Sequence, residues 1–390
     1  MNPKIFSFFS GAGFLDLGFE TEGYKVVHVN ENHAPFLGAY QYSRKPFGIE
    51  NPEYGYCPNS VTDYLNECHS RRLQETLVDS KKDGSLAGFI GGPPCPDFSI
   101  AGKNRGHEGE RGQLSRTYIE LICRHKPDFF LFENVKGLWT TKRHRQFYEG
   151  LKQSLWSAGY ATTERLINSL EFGAPQDRAR IILIGFKKDI VSSLVKRKLF
   201  GKFELEAFPW QKFASFPNDQ AFSFPWPATS EFTEETDLAC PLNIPVELTV
   251  EHWFRENEVE NHPNSSHCFT PKAGLVRFQS VPEGDDKKKS FKRLHRWRYS
   301  PTAAYGNNEV HLHPYKPRRI SVAEALAIQS LPKDFSLPSE MTLSNMFKTV
   351  GNGVPFLAAK MLARSINSFL EVNYAQTDSL RHRKSHRQVA

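Results

Sequence analysis

Five short apolar runs, separated by amphipathic segments, constrain the first half of this chain more than any other feature. They are Lys4–Phe9, Tyr24–Val29, Ala87–Ile90, Asp128–Phe132 and Arg180–Phe186. Runs of this length with no polar face suit strands covered on both sides. Their alternation with helix-like segments is the pattern of a parallel sheet wound with helices. The expected class is therefore α/β, with helices on both faces of a parallel sheet. In such open sheets ligands bind outside the carboxyl ends of the strands, so the residues that follow each run carry the information about function.

The first run ends in Phe9-Ser10-Gly11-Ala12-Gly13. Glycines between a strand and a helix allow positive φ and close approach of a ligand to the backbone. Glu31, followed by Asn32, comes two residues after the second run, where an acid can accept hydrogen bonds from ribose hydroxyls. Together these two features indicate a nucleotide-like cofactor in a Rossmann-like fold, and a tight strand-to-helix turn without a ligand is the plain alternative. The third run ends through Gly91-Gly92-Pro93-Pro94 at Cys95, and the fourth ends at Glu133-Asn134-Val135. Parallel strands would bring that thiol and that carboxyl to one sheet edge. A thiolate beside a carboxyl group is equipped to add to an electron-poor ring such as cytosine.

Each piece alone has a duller reading. A lone cysteine is usually a buried core residue, Glu133 could cap a helix, and Asn134 could sit in a turn. A two-residue period puts Gln176, Arg178 and Arg180 on one strand face, where long polar groups can bind phosphate and a base edge. A solvated strand face would show the same pattern. Gly351-Asn352-Gly353-Val354-Pro355 precedes the last helical segment and reads either as a loop or as a second wall of the cofactor pocket.

The chain is 390 residues long, enough for one large domain and a smaller one. Its net charge of +7 suggests a polyanionic partner. Its cysteines form no C-x-x-C pair, which argues against a zinc site or a disulfide framework and for a reducing compartment. No apolar stretch approaches the roughly 20 residues of a membrane helix, and no signal peptide is evident at the start. A soluble, cytoplasmic protein is expected.

The texture changes after Lys188. Residues 200–250 are rich in Pro and Phe, and 287–298 is basic with Phe291, Leu294 and Trp297 interleaved. The expected organisation is a first part of the main domain over 1–188 and an inserted, irregular domain over 189–315. Residues 316–372 complete the main domain, and 373–390 form a basic, disordered tail. Ser321 with Glu324 three residues on predicts a capping box opening a helix, and Phe356–Phe369 predicts another.

The order of these pieces resembles the DNA (cytosine-5)-methyltransferases of bacterial restriction–modification type. The likeness covers 4–187 and 316–365. It includes Phe9–Gly13, Gly92–Ser99, Arg111-Gly112-Gln113-Leu114, Glu133–Val135, Gln176–Arg180, Arg318–Ser321 with Glu324, and Gly351–Val354. The resemblance implies a class I S-adenosylmethionine-dependent domain with an inserted target-recognition domain, and no metal. It implies that Phe9, Gly11, Ala12, Gly13, Glu31, Asn32, Leu114, Asn352 and Gly353 line the S-adenosylmethionine pocket. Cys95 would be the nucleophile, Glu133 would hold the base, and Arg178 and Arg180 would contact the flipped base and its phosphate. Pro94, Ser99, Asn134, Gln176, Thr302 and Arg318 would contact the DNA substrate, Thr302 from the short element Ser300–Gly306. The implied setting is a monomer acting on duplex DNA near the nucleoid, with a cognate restriction endonuclease acting separately.

Three positions depart from the family pattern: Phe14 in place of a glycine, Pro96 in place of a glutamine, and Ser60 in place of an aspartate. Two other functions stay open on sequence alone. Cys268-Phe269-Thr270 resembles a tripeptide of tRNA cytosine-5 methyltransferases built on the same fold, and a catalytically inactive DNA-binding homologue would share the architecture.

Overall fold

The computed structural model describes residues 2–94, 110–191, 195–197, 203–205, 207–271, 275–288, 290–303, 305 and 309–387. The first half runs β1 (Lys4–Phe8), α1 (Phe14–Glu20), β2 (Lys25–Asn30), α2 (Ala34–Ser43), β3 (Tyr56–Cys57), α3 (Glu67–Ser80), β4 (Ala87–Gly91), α4 (Glu110–His125), β5 (Phe129–Val135), α5 (Lys136–Thr140), α6 (Lys142–Ser157), β6 (Tyr160–Asn168) and β7 (Ala179–Lys187). The second half adds α7 (Lys188–Val191), β8 (Val195–Arg197), β9 (Phe203–Leu205), α8 (Val250–Glu256), α9 (Leu275–Ser280), α10 (Val322–Ile328), α11 (Leu343–Asn352) and α12 (Phe356–Arg387).

The nine strands of the described residues form one sheet in the order β3-β2-β1-β4-β5-β7-β6-β9-β8. The strands β3, β2, β1, β4 and β5 pair in parallel. The sheet departs from the all-parallel expectation at β7, which is antiparallel to both β5 and β6. The reason is the connection. Only the ten residues 169–178 join β6 to β7, too few for the helical crossover that a parallel return needs.

The period of two in each strand feeds two cores. Ile5, Phe129, Leu131, Ile182, Ile184 and Phe186 face one side, where α1 and α12 cover them. Phe6, Phe8, Phe130, Phe132, Ile181 and Leu183 face the other, against residues of α3, α4 and α6. A third cluster joins Phe14 and Leu17 of α1 to α10, α11 and residues 250–310. Burying a Phe or Leu side chain is worth about 1.5–3 kcal/mol, so both faces of these central strands contribute to stability.

Two further expectations shift and one holds. The sheet does not stop at residue 188: Glu204 of β9 pairs with Thr162 of β6, so the segment after Lys188 first extends the sheet. The basic tail expected to be disordered instead continues α12 through Arg387; from Phe356 on, that segment contains no proline or glycine to break it. The predicted capping box is present, with Ser321 Oγ accepting from Glu324 N and Glu324 Oε2 accepting from Ser321 N.

Asp16, in the first turn of α1, is wholly buried and accepts from Ser7 Oγ at 2.8 Å. Burial pushes its carboxyl up from 3.8 to about 6, against the pull of Arg44. A folded pKa above the unfolded one favours folding fully below the unfolded value and loses that contribution as pH rises through about 6. The shift corresponds to on the order of 3 kcal/mol. Asp16→Asn should therefore gain stability relative to the parent between pH 4 and pH 7. Unfolding free energies of both proteins at the two pH values check this, and a pH-independent difference between them contradicts it.

Candidate functional site

The carboxyl ends of the parallel strands lie side by side, and the sheet order reverses between β1 and β4, the usual ligand crevice of such folds. At the end of β1, Phe9 (φ 54°), Gly11 (φ 57°) and Gly13 (φ 78°) all take left-handed backbone. Among the described residues, the space beside Gly11 is nearly open, with only Thr349 Oγ1 in reach of an added Cβ, at 3.9 Å. Phe9 stands edge-on to Tyr118 at 6.0 Å, and Leu114 packs in the same cluster, so α4 supplies an apolar wall.

Glu31, at the end of β2, spans the turn. Its Oε2 accepts from Gly11 N at 2.9 Å and its Oε1 from His33 N at 2.8 Å. Each oxygen keeps a second lone pair for a further donor. Asn32 and Asn352 are exposed, and Gly353 follows at the C-cap of α11.

Phe14 does not enter this pocket. Its ring turns into the third core, edge-on to Phe335 at 5.2 Å and tight against Gly353. Ser60 and Asp63 cap the short helix that follows β3, with Ser60 N donating to Asp63 Oδ2 at 3.1 Å.

Two strands away, Glu133 lies near the end of β5 and is buried. Its Oε1 pairs with Arg180 Nε at 3.0 Å. This contact exists because β7 is antiparallel: its first residues reach the edge where β5 ends, and Arg180 stands opposite Val135. Glu133 Oε2 faces the turn after β4, and a Cβ on Gly92 would lie 2.7 Å from it. A side chain at 92 would force that carboxylate oxygen to shift. Asn134 Nδ2 donates to Pro93 O at 3.4 Å, tying the same turn to β5. Pro94 is exposed beyond it. Cys95, Pro96 and Ser99 lie outside the described residues, as does the side chain of Arg111.

The arginines differ in surroundings. Arg180 donates through Nη1 to Ala179 O and through Nε to Glu133. Arg178 is fully buried and donates to Ala303 O at 3.2 Å and Gly351 O at 3.0 Å, while its Nε has no hydrogen-bond partner among the described residues. Burial, together with neighbouring Arg180, pulls Arg178 down from the ordinary arginine range, and Glu133 opposes this. Gln176 is also buried. Its Oε1 accepts from Ala303 N at 3.1 Å, and its Nε2 reaches Ile328 O and Gln329 Oε1. The segment 175–177 thus meets 300–303 backbone to backbone, and Thr302 Oγ1 donates to Asp177 O. Arg318 forms a fork with both oxygens of Glu324, at 2.9 and 2.7 Å, rather than facing the cleft alone.

The structure therefore brings Phe9, Gly11, Gly13, Glu31 and Leu114 together around one crevice, and Glu133, Arg180, Asn134 and the Gly92–Pro94 turn around the adjacent one. It gives Gln176, Arg178 and Arg318 to internal partners. Sequence reasoning missed Arg44, whose Nη1 donates to Ala12 O at 2.9 Å from beneath the glycine turn. It also missed Gln329, whose Nε2 donates to Val350 O at 2.5 Å. Neither stands in a motif, so local sequence holds no signal for them. Phe269 of the Cys268-Phe269-Thr270 tripeptide stacks on Phe347 at 5.3 Å and packs in the third core.

Residues 3–368 match the family model described as C-5 cytosine-specific DNA methylase. The type II methyltransferase M.NmeDI of Neisseria meningitidis serogroup C is 57% identical over 96% of this chain and 85% of its own length. M.MthTI of Methanothermobacter thermautotrophicus is 28% identical over 95% and 99%. The Dnmt2 methyltransferase of S. pombe superposes with a TM-score of 0.58 at 11% identity, covering 95% of this chain and 99% of its own, a likeness of fold. A mixed sheet with a glycine turn, a Glu31 cradle and the Glu133–Arg180 pair at one edge, under a family match spanning nearly the whole chain, leads to one conclusion: the chain belongs to the C-5 cytosine-specific DNA methylases.

Proposed function

We propose that this enzyme methylates cytosine at C5 in duplex DNA within a short recognition sequence, using Cys95 as nucleophile and Glu133 as its acid partner. The observation that carries the assignment is the Glu133 carboxylate, fixed by Arg180 on one oxygen and facing the Gly92-Pro93-Pro94 turn with the other. That turn leads directly to Cys95.

The glycine turn and Glu31 fit S-adenosylmethionine as methyl donor. The left-handed backbone and the open space beside Gly11 leave room for the donor against the main chain, and Glu31 retains lone pairs for ribose hydroxyls. Phe9 and Leu114 offer an apolar flank. Bound there, the donor supplies an electrophilic methyl group.

The rest falls to side chains of this chain. The target base must leave the helix stack, at a cost of a few kcal/mol. The Cys95 thiolate then bonds to C6 and pushes ring electrons toward N3 and C5. Glu133 presents a proton at N3 and stabilises that charge, with Arg180 keeping the carboxyl group in place. Once C5 carries the methyl group, the C5 proton passes to water, the sulfur–C6 bond breaks with its electron pair returning to Cys95 as thiolate, and the N3 proton returns to Glu133, which restores the aromatic ring and both side chains. Arg178 and Gln176 act as struts that hold the 300–303 element beside this edge, and Thr302 belongs to the same junction.

The target sequence is read by the segment within 189–315. Its aromatic cluster of Phe222, Trp226 and Tyr299, with Phe222 exposed, suits contact with DNA. Because relatives are named type II methyltransferases, the biological role we assign is protection of host DNA from a cognate endonuclease.

Cytosine-methylation sequencing of DNA from a methylation-free host expressing the chain should show one short motif methylated, and none with Cys95→Ala. Absence of methylation from folded parent protein contradicts the DNA assignment and directs the assay to tRNA. Glu133→Gln should fold and lose about 10²–10⁴-fold in rate; a loss under tenfold contradicts its acid role. Gly92→Ala should displace the Glu133 carboxylate and cost about 10- to 100-fold in methylation rate while the thermal midpoint moves little. An unchanged rate contradicts the positioning of Glu133 by that turn.

A further inference from the structure

Beneath the glycine turn lies a buried charged cluster that the reaction itself does not use. Arg44, at the C-cap of α2, is 3% exposed. Its Nη1 donates to Ala12 O at 2.9 Å and to Ser43 Oγ at 3.1 Å, and its Nη2 donates to Gly13 O. Nη2 also pairs with Glu20 Oε2 at 3.3 Å, and the guanidinium carbon sits 4.0 Å from the centre of the Tyr40 ring. Asp16 completes the cluster from α1, bonded to Ser7 of β1.

The geometry is particular in two ways. Both acceptors, Ala12 O and Gly13 O, belong to the turn that Glu31 grips from the opposite side through Gly11 N. A peptide unit is planar, so fixing its carbonyl also fixes its N–H. One guanidinium fork thus orients the two successive peptide planes that join Ala12 to Gly13 and Gly13 to Phe14. Only arginine presents two parallel donors at that spacing. In addition, Gly13 has no room for a side chain: an added Cβ would run into the Arg44 guanidinium and the Tyr40 ring. The turn rests directly on the arginine.

A buried guanidinium is costly unless it is paired and its donors are used. Glu20 supplies the counter-charge from the last turn of α1, and the two carbonyls use the fork. Such an investment in a single backbone turn is unnecessary for the core, which the neighbouring Phe and Leu side chains already fill.

We propose that Arg44, anchored by Glu20 and Tyr40, is a positioning residue that holds the Gly11–Gly13 turn in the shape that binds the methyl donor, and so sets the enzyme's affinity for it. This rests on the assignment of the donor site to that turn and to Glu31. Arg44 is buried beneath the turn and gives its donors to the turn carbonyls and to Ser43. Its removal should weaken donor binding while leaving the chemical step, once the donor is saturating, nearly intact.

The test compares Arg44→Lys, Glu20→Gln and Glu31→Gln with the parent, as full-length protein. Equilibrium dialysis with radiolabelled S-adenosylmethionine gives affinity, and single-turnover methylation of unmethylated plasmid DNA at saturating donor gives the chemical rate. Glu20→Gln keeps the shape and removes only the counter-charge, so it remains informative if Arg44→Lys fails to fold. The expected result is donor binding weaker by about tenfold or more for Arg44→Lys and for Glu20→Gln, with the saturated rate within about threefold of the parent. Unchanged donor affinity in folded Glu20→Gln or Arg44→Lys, alongside a clear loss in Glu31→Gln, overturns the role of Arg44 and leaves the donor site in place. Unchanged affinity in Glu31→Gln overturns the donor site and this inference with it. A fall in the saturated rate without a fall in affinity also overturns it.

Discussion

A single buried guanidinium holds three distant parts of the chain at one point. Arg178 leaves the strand edge just before β7 and donates to the carbonyls of Ala303 and Gly351. Those carbonyls belong to the inserted segment and to α11, more than a hundred residues further on. Gln176 repeats the connection two residues earlier, through Ala303 N and the 328–329 backbone and side chain. Hydrogen bonds to charged donors contribute more than neutral ones, and losing one end of a buried charged set costs several kcal/mol. The position of the inserted segment over the sheet edge therefore depends on this junction.

The chemistry depends on a related constraint of topology. With a wholly parallel sheet, the strand next to β5 would present its carboxyl end at the edge, and Arg180, at its start, would lie at the far end. The short 169–178 connection forces β7 to run the other way, and Arg180 meets Glu133 as a result. The same edge holds the glycine turn over Arg44 and the Gly92 turn under Glu133. Each turn follows a strand whose side chains are fixed in two cores, so loop geometry is inherited from packed elements.

Much of this was legible in sequence because buried strands advertise themselves as short apolar runs. Runs β1, β2, β4, β5 and β7 were readable for that reason, and the Ser321–Glu324 cap was readable because two side chains specify it. Strand β6 was not legible: Glu164 and Arg165 interrupt its apolar pattern, and they pair with Lys152 and Glu171, contacts that only the fold creates. The reading of Gln176, Arg178 and Arg180 as one polar face failed to distinguish them for a similar reason. Only Arg180 lies in the strand, while the other two precede it and turn to backbone acceptors from distant segments. Arg318 carried a local clue in Glu324, six residues on, which takes its whole fork. Phe14 looked like a disturbance of the cofactor turn, but the first turn of α1 aims it into the core instead.

The central claim is that Cys95, which follows in sequence the Gly92–Pro94 turn beside Glu133, bonds to the target base. Incubating the enzyme and S-adenosylmethionine with DNA containing 5-fluorocytosine tests it directly, because fluorine at C5 cannot leave as a proton would and the covalent stage should persist. Mass spectrometry of the digested complex should find the nucleotide on the peptide bearing Cys95, and only when donor is present. Methylation of ordinary DNA by the same preparation, with no trapped complex or with the nucleotide on another residue, would contradict the account.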